Sequence, residues 1–211
     1  MVEAVADEAV VDVVPLERRR VDEASRVLAR AFHDDPAWAW IVPADARRAR
    51  ILPWLFRVAL RTTLATGAVD TTRGPVRGIA LWSRPGADAV DAATERSLLV
   101  LPLRLRTAYG RFRAYAEWNR DLQARAWAGP SVFLSGLGVD PPHQRCGVGG
   151  TLLEAGRSRD PALAAVLLTN DLGNVRFYER HGYDVVLDAP MPHGLPTWAM
   201  VRPPDPTRLP G

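Results

Sequence analysis

Apolar residues early in the chain fall at helical spacing. Val27, Leu28, Ala31 and Phe32 share one face of a segment predicted to run from a cap at Asp22 to about Phe32. The run His33-Asp34-Asp35-Pro36 breaks it, and Trp38, Trp40 and Ile41 follow in a loop closed by Pro43. A second helix is predicted over about 44–65. Ile51, Trp54, Leu55, Val58 and Leu64 lie inward, Arg47, Arg50, Arg57 and Arg61 outward, and Pro53 implies a kink or a late start. Short β-rich stretches are predicted at 11–16, 68–72 and 76–82, the last two joined by a turn at Arg73-Gly74-Pro75. Residues 88–127 read as mostly helical, with Leu101, Leu105, Ala108, Phe112, Tyr115 and Trp118 as the inner stripe.

The period then changes. Val132–Val139 (VFLSGLGV) is a continuous apolar run of strand length, ending at Asp140-Pro141-Pro142. A helix over about 148–157, a buried strand at 164–169, a short helix at 174–181 stopped by Gly182, and strands at 183–187 and 197–201 complete the pattern. The predicted organisation is a loose tail over 1–10, one domain over 11–203 with a helical insertion at about 88–127, and a Pro-rich tail over 204–211.

Composition narrows the chemistry. All 27 basic residues of the 211 are arginine, and a chain without lysine has no P-loop lysine and no Schiff-base lysine. Cys146 is the one cysteine, which excludes a disulfide framework, and His33, His143, His181 and His193 are scattered without ligand spacing. No metal site is expected. The net charge of +3 permits a polyanionic ligand without requiring one. No apolar run approaches the roughly 20 residues that cross a bilayer, and the first residues carry acids where a secretory signal carries bases. A cytoplasmic protein without membrane contact is expected.

The turn after VFLSGLGV carries the candidate chemistry. His143-Gln144-Arg145-Cys146-Gly147-Val148-Gly149-Gly150 leads into a helix, whose first N–H groups lack partners and whose dipole favours an anion. Glycines permit close approach of a phosphate, and Arg145 adds a charge-assisted contact. A dinucleotide fingerprint does not fit, because Leu152 stands where its third glycine belongs. A plain strand-to-helix turn is the competing interpretation of the same glycines.

Gln144-x-x-Gly147-x-Gly149 resembles the pyrophosphate signature of the Gcn5-related N-acetyltransferase (GNAT) superfamily, and Asn174-x-x-Phe177-Tyr178-Glu179-Arg180-x-Gly182-Tyr183 resembles its later motif. The joint match covers about 133–186. VFLSGLGVDPPHQ, NVRFYERHGY, the final PTWAM, AFHDDP and GIALWSRPG are similar to the puromycin N-acetyltransferase branch. The resemblance implies an α/β (α+β) fold around a mixed, mostly antiparallel sheet whose two central parallel strands, about 132–139 and 164–169, splay apart. Acetyl-CoA as cosubstrate would lie in that gap. Its pantetheine would pair with the main chain of Leu137 and Val139, and its pyrophosphate would rest on Gln144, Arg145, Cys146, Gly147, Val148, Gly149 and Gly150. Asn174 would contact the pantetheine side. Tyr178 would act as general acid near the sulfur, and the Val139 N–H as oxyanion donor.

The implied reaction is direct transfer of an acyl group from the thioester to a small-molecule amine in a ternary complex, with an antibiotic or other natural product as the first-choice acceptor. Leu168 stands where many relatives carry a glutamate, so the base is left open among Asp34, Asp35, Asp171 and water. Asp34, Asp35, Trp38 and Trp118 are the candidate acceptor contacts, with Trp82, Tyr115, His193 and Trp198 behind them. Two other functions compete: a noncatalytic acyl-CoA-binding module, and an acyltransferase drawing on another donor such as aminoacyl-tRNA. Scattered arginine gives no positive sign of nucleic acid. Monomer and homodimer are both open.

Overall fold

The computed structural model describes residues 11–83 and 99–205. The expected terminal tail over 1–10, the part of the insertion at 88–98 and residues 206–211 lie outside them. Seven strands form one sheet: β1 (Val13–Pro15), β2 (Gly67–Thr72), β3 (Gly78–Ser83), β4 (Ser131–Val139), β5 (Ala164–Thr169), β6 (Asp184–Asp188) and β7 (Trp198–Arg202). Their order across the sheet is β1-β2-β3-β4-β5-β7-β6. Every neighbouring pair is antiparallel except β4 and β5, which are parallel.

The helices are α1 (Val21–Ala31), α2 (Pro36–Ile41), α3 (Asp45–Thr66), α4 (Leu101–Leu105), α5 (Tyr109–Ala126), α6 (Val148–Arg159) and α7 (Leu172–Glu179). Period-2 alternation sorts them onto two faces. Ile79 and Leu81 of β3 join a core with α1, α2 and α3, while Ala80 and Trp82 join a second core with α6 and α7. Gly78 belongs to the second face, where a Cβ would lie 2.9 Å from Leu152 and 3.0 Å from Val148. Glycine there lets α6 sit close to the sheet.

Several local expectations are corrected. Asp22 does not cap α1: the helix begins at Val21 after Arg20, and Asp22 pairs with Arg57 at 2.7 Å. The Trp38–Ile41 segment is a helix rather than a loop, because Asp35 caps it and Pro36 occupies its first position, where a missing N–H costs nothing. α3 starts at Asp45 and continues through Pro53. α7 begins at Leu172, two residues earlier than the pattern suggests, because Asp171 accepts from the N–H groups of Gly173 (2.6 Å) and Asn174 (3.1 Å).

Candidate functional site

The site originates in a failure of strand pairing. β4 and β5 run in register from Ser131/Ala164 to Leu134/Leu167 and then part. On its other side β4 stays paired with β3, but the register slips so that Trp82 faces Leu134 while Leu81 faces Gly136. Ser135 is the extra residue of this bulge, and its hydroxyl donates to the Leu81 carbonyl at 3.2 Å. The bulge inverts the alternation. Val132 and Leu134 face the α6–α7 core, and after it so do Leu137 and Val139. Gly138 consequently turns toward α1, where a Cβ would lie within 3.2 Å of Leu28, Phe32 and Ala31.

The same shift decides which main-chain groups are free. The Asp140 N–H donates to the Arg77 carbonyl at 2.8 Å, one residue beyond the pair Gly78/Val139. In an antiparallel ladder bonded and non-bonded pairs alternate, so the N–H and C=O of Leu137 and Val139 point away from β3 into the widening gap. Gln144 Nε2 takes up the Val139 carbonyl at 3.1 Å. The Val139 N–H and both groups of Leu137 have no partner among the described residues.

The loop between β4 and α6 is held firmly. Arg30 grips the Asp140 carboxylate through two bonds of 2.8 Å. Gly147 sits at φ +76°, a conformation side chains resist, and Arg145 is left-handed at +62°. α6 then starts at Val148, and the N–H groups of Val148, Gly149 and Gly150 have no acceptor within the helix. Gly150 lies beneath a ring: a Cβ there would come within 2.7 Å of His181 Nε2, while His181 Nδ1 pairs with the Phe177 carbonyl at 2.8 Å. Gly149 lies 3.5 Å, by the same measure, from both Phe177 and Val139. The second glycine motif residue thus brings α6 against α7. Gln144, Arg145 and Cys146 are exposed.

A cavity of about 440 Å3 occupies the gap. Its walls include Tyr178, Leu134 and Leu137 from one face of the sheet and Phe32, Trp38 and Phe56 from the other. A single space touching both cores passes through the sheet where β4 and β5 separate. Tyr178 is buried within it, its ring edge-on to Phe177 and Tyr183 at 5.1 and 5.7 Å. Burial pushes the Tyr178 phenol well above its usual range, with the charges of Tyr183 and Asp35 acting the same way, so it stays protonated at neutral pH.

Asp35 enters from the opposite side. Its Oδ1 accepts from the N–H groups of Ala37 (3.0 Å) and Trp38 (3.2 Å), which fixes the carboxylate at the start of α2. Burial raises its pKa; the two N–H bonds oppose the shift, and the charge of Asp171 adds to it. Tyr115 donates to Asn170 Oδ1 at 2.9 Å, and Asn170 Nδ2 donates to the Pro196 carbonyl (2.6 Å) and Thr197 (2.9 Å). Burial pushes the Tyr115 phenol up to about 12.

Of the sequence-derived acceptor contacts, Asp35 and Trp38 line the cavity, as does Asn174. Asp34 does not: its side chain is 90% exposed and lies beside His33 and Arg48 on the outer surface. Trp118 does not either, because α5 turns it into a separate cluster with Ala37, Met191 and Leu195. Asp171 is engaged as the cap of α7 and Leu168 supplies only an apolar wall. The sequence reading passed over Arg48 and Asn119. Arg48 is 6% exposed and donates to the carbonyls of His33 (2.6 Å), Val42 (2.9 Å) and Pro43 (3.3 Å) and to Asp45 (2.9 Å). It thereby clamps both ends of the segment that carries Asp35 and Trp38. Its signal was its place on the Leu52/Leu55 stripe, at i and i+4 and i+7, where arginine is out of pattern. Asn119 had no such signal; its buried Oδ1 has no partner among the described residues.

Comparison with known proteins gives a consistent assignment of fold. A family model described as an acetyltransferase (GNAT) domain matches residues 107–185. A structure described as histone acetyltransferase HPA2 and related acetyltransferase from Corynebacterium glutamicum is 23% identical, with TM-score 0.67, over 92% of this chain and 97% of its own. Arylalkylamine N-acetyltransferase 2 from Aedes aegypti is 12% identical, with TM-score 0.62, over 90% and 97%. The polyamine N-acetyltransferase of Drosophila melanogaster is 16% identical, with TM-score 0.56, over 90% and 98%. The chain has the GNAT fold, as its motifs led one to expect.

Proposed function

We propose that this GNAT-fold protein is an N-acetyltransferase, moving an acetyl group from acetyl-CoA to the amine of a small molecule within a ternary complex. The observation that carries this reading is the passage through the sheet beyond Leu134/Leu167, with a protonated, buried Tyr178 inside it and unpaired helix N–H groups at the head of α6. The residues present suit an acyl-CoA: Gly147, with open space where a side chain would stand, and the free N–H groups at the head of α6 give phosphates access to the main chain, and Leu137 and Val139 offer strand-edge groups to an amide-containing arm. Arylalkylamine, agmatine and polyamine acetyltransferases share the fold, which supports a small amine as acceptor. The segments similar to the puromycin N-acetyltransferase branch support a natural-product amine.

Each residue has a task in this chemistry. Asp35 takes one proton from the incoming ammonium, leaving a neutral nitrogen to attack the thioester carbonyl. As the new C–N bond forms, the carbonyl electron pair moves onto oxygen, where the Val139 N–H steadies it. The C–S bond then breaks with its pair on sulfur, and Tyr178 supplies the proton that makes the thiol. The second proton leaves nitrogen on collapse and is returned to Tyr178 through solvent. Asp35 fills the place left open by Leu168, since of the candidate carboxylates it lines the cavity while Asp34 and Asp171 do not.

A thiol-release assay with purified protein, acetyl-CoA and a panel of amines tests the proposal. Amine-dependent release of coenzyme A is expected. Saturable acetyl-CoA binding without any amine-dependent release would leave only a noncatalytic binding module.

A further inference from the structure

The cavity also restricts what the amine is attached to. The chain has 27 arginines, yet none appears among the described residues that line this space, and Asp35 is the one carboxylate there. Around Asp35 the wall on the acceptor side is aromatic. Phe32 lies 5.2 Å from Phe56, and Trp38 lies edge-on to Phe56 at 5.5 Å and stacked on Phe112 at 6.4 Å. Asp35 Oδ1 is occupied by two N–H groups, and Oδ2 has no partner among the described residues.

From this we infer that the acceptor is a primary monoamine on an uncharged, apolar body of aromatic size. The inference rests on the acyl-transfer reading and names the substrate class of that same site. The ammonium pairs with Asp35 Oδ2 and the body lies against Trp38, Phe56 and Phe112. An amino acid would bring a carboxylate into a space where no described residue supplies a cation, beside the Asp35 carboxylate. A polyamine would bring a second ammonium against ring faces. A cation gains less from such faces than the desolvation of its charge costs.

The test uses the full chain with acetyl-CoA and three acceptors: 2-phenylethylamine, phenylalanine (the same ring and amine plus a carboxylate) and spermidine. The expected kcat/KM for 2-phenylethylamine exceeds those of the other two by about 100-fold or more, the scale of an unpaired buried charge. Asp35→Asn is expected to raise the KM for 2-phenylethylamine roughly 10- to 100-fold, as loss of a charge-assisted bond does. Asparagine caps helices as well as aspartate, so α2 persists, and acetyl-CoA affinity by calorimetry stays within about 2-fold of the parent. Equal or better turnover of spermidine or phenylalanine would overturn the inference, as would an unchanged KM in Asp35→Asn. Absence of acetyl-CoA binding by the parent protein would instead defeat the acyl-transfer reading itself. Acetyl-CoA binding with no turnover of any of the three would overturn the inference, and the wider amine panel then decides the acyl-transfer reading.

Discussion

The two ends of the cavity are made from different material. At the end proposed for the coenzyme the available groups are main-chain: the strand edge at Leu137 and Val139 and the N–H groups from Val148 to Gly150. They lie within 14 consecutive positions, and their geometry depends on a bulge at Ser135 and a left-handed Gly147. At the end proposed for the acceptor the lining groups are side chains from the α1–α2 turn, α3, α5 and β5, joined only by folding. A site built from backbone leaves a contiguous mark, because glycine is favoured where φ is positive or a neighbour comes close. A site built from distant side chains leaves none, and its precision depends on what holds each segment in place.

If the ends are separable, each can be damaged without the other. The largest expected effect falls between them: Tyr178→Phe lowers kcat roughly 10²- to 10⁴-fold, the usual scale of a general acid, while calorimetry shows acetyl-CoA affinity nearly unchanged. An unaltered kcat would reduce Tyr178 to a packing residue.

Arg48→Met tests the clamp behind the acceptor end. It strips the donors from three carbonyls and from the exposed Asp45, so urea denaturation should show a loss of about 1–3 kcal/mol for each carbonyl left without a donor. Near neutral pH and below the transition, amine KM should rise while acetyl-CoA affinity holds. An equal loss of both affinities would mean the two ends are one unit.

The pH profile sharpens the acceptor side. Asp35 must be ionised to act, and burial raises its pKa, so kcat/KM falls as pH drops through a value above the ordinary aspartate's, about 3.9. Tyr115, Tyr178 and Asp171 are the titratable groups coupled to it. Linkage runs the opposite way: the raised folded-state pKa of Asp35 contributes stability that is fully present below the unfolded value and is lost as pH climbs through the folded one. On the alkaline side both phenols lie above their usual 10, so no phenol-dependent decline is expected up to about pH 10. Replacing Asp35 with Asn should abolish the acid limb; a limb that persists belongs to another group.

The smallest effect belongs to Gln144→Ala, which removes the 3.1 Å bond to the Val139 carbonyl. A cost of about 0.5–1.5 kcal/mol in acetyl-CoA affinity is expected, with amine KM unchanged.

Legibility in the sequence followed the same division. The strand VFLSGLGV, the glycine turn, α6 and the segment around Tyr178 could be placed from period and spacing, since each is decided by neighbours in the chain. The bulge at Ser135 was hidden, because an apolar run with two glycines does not reveal where its alternation inverts. Asp34 and Asp35 were equivalent as letters. The fold separates them, capping α2 with one and leaving the other in solvent. Trp118 was assigned to the right stripe, but the stripe's rotation about α5 sends Tyr115 to the cavity and Trp118 to the Met191 cluster. Arg48 was visible as an arginine on an apolar stripe, a signal of burial rather than of role.

Backbone amide NMR of the 23.2 kDa chain during an acetyl-CoA titration addresses the central claim most directly. Saturable shifts are expected at Leu137, Val139, Val148, Gly149 and Gly150, with the strand edge and the helix head moving together. Saturation with those amides unmoved, or no saturable shift at all, would contradict a coenzyme seated in the opening between β4 and β5.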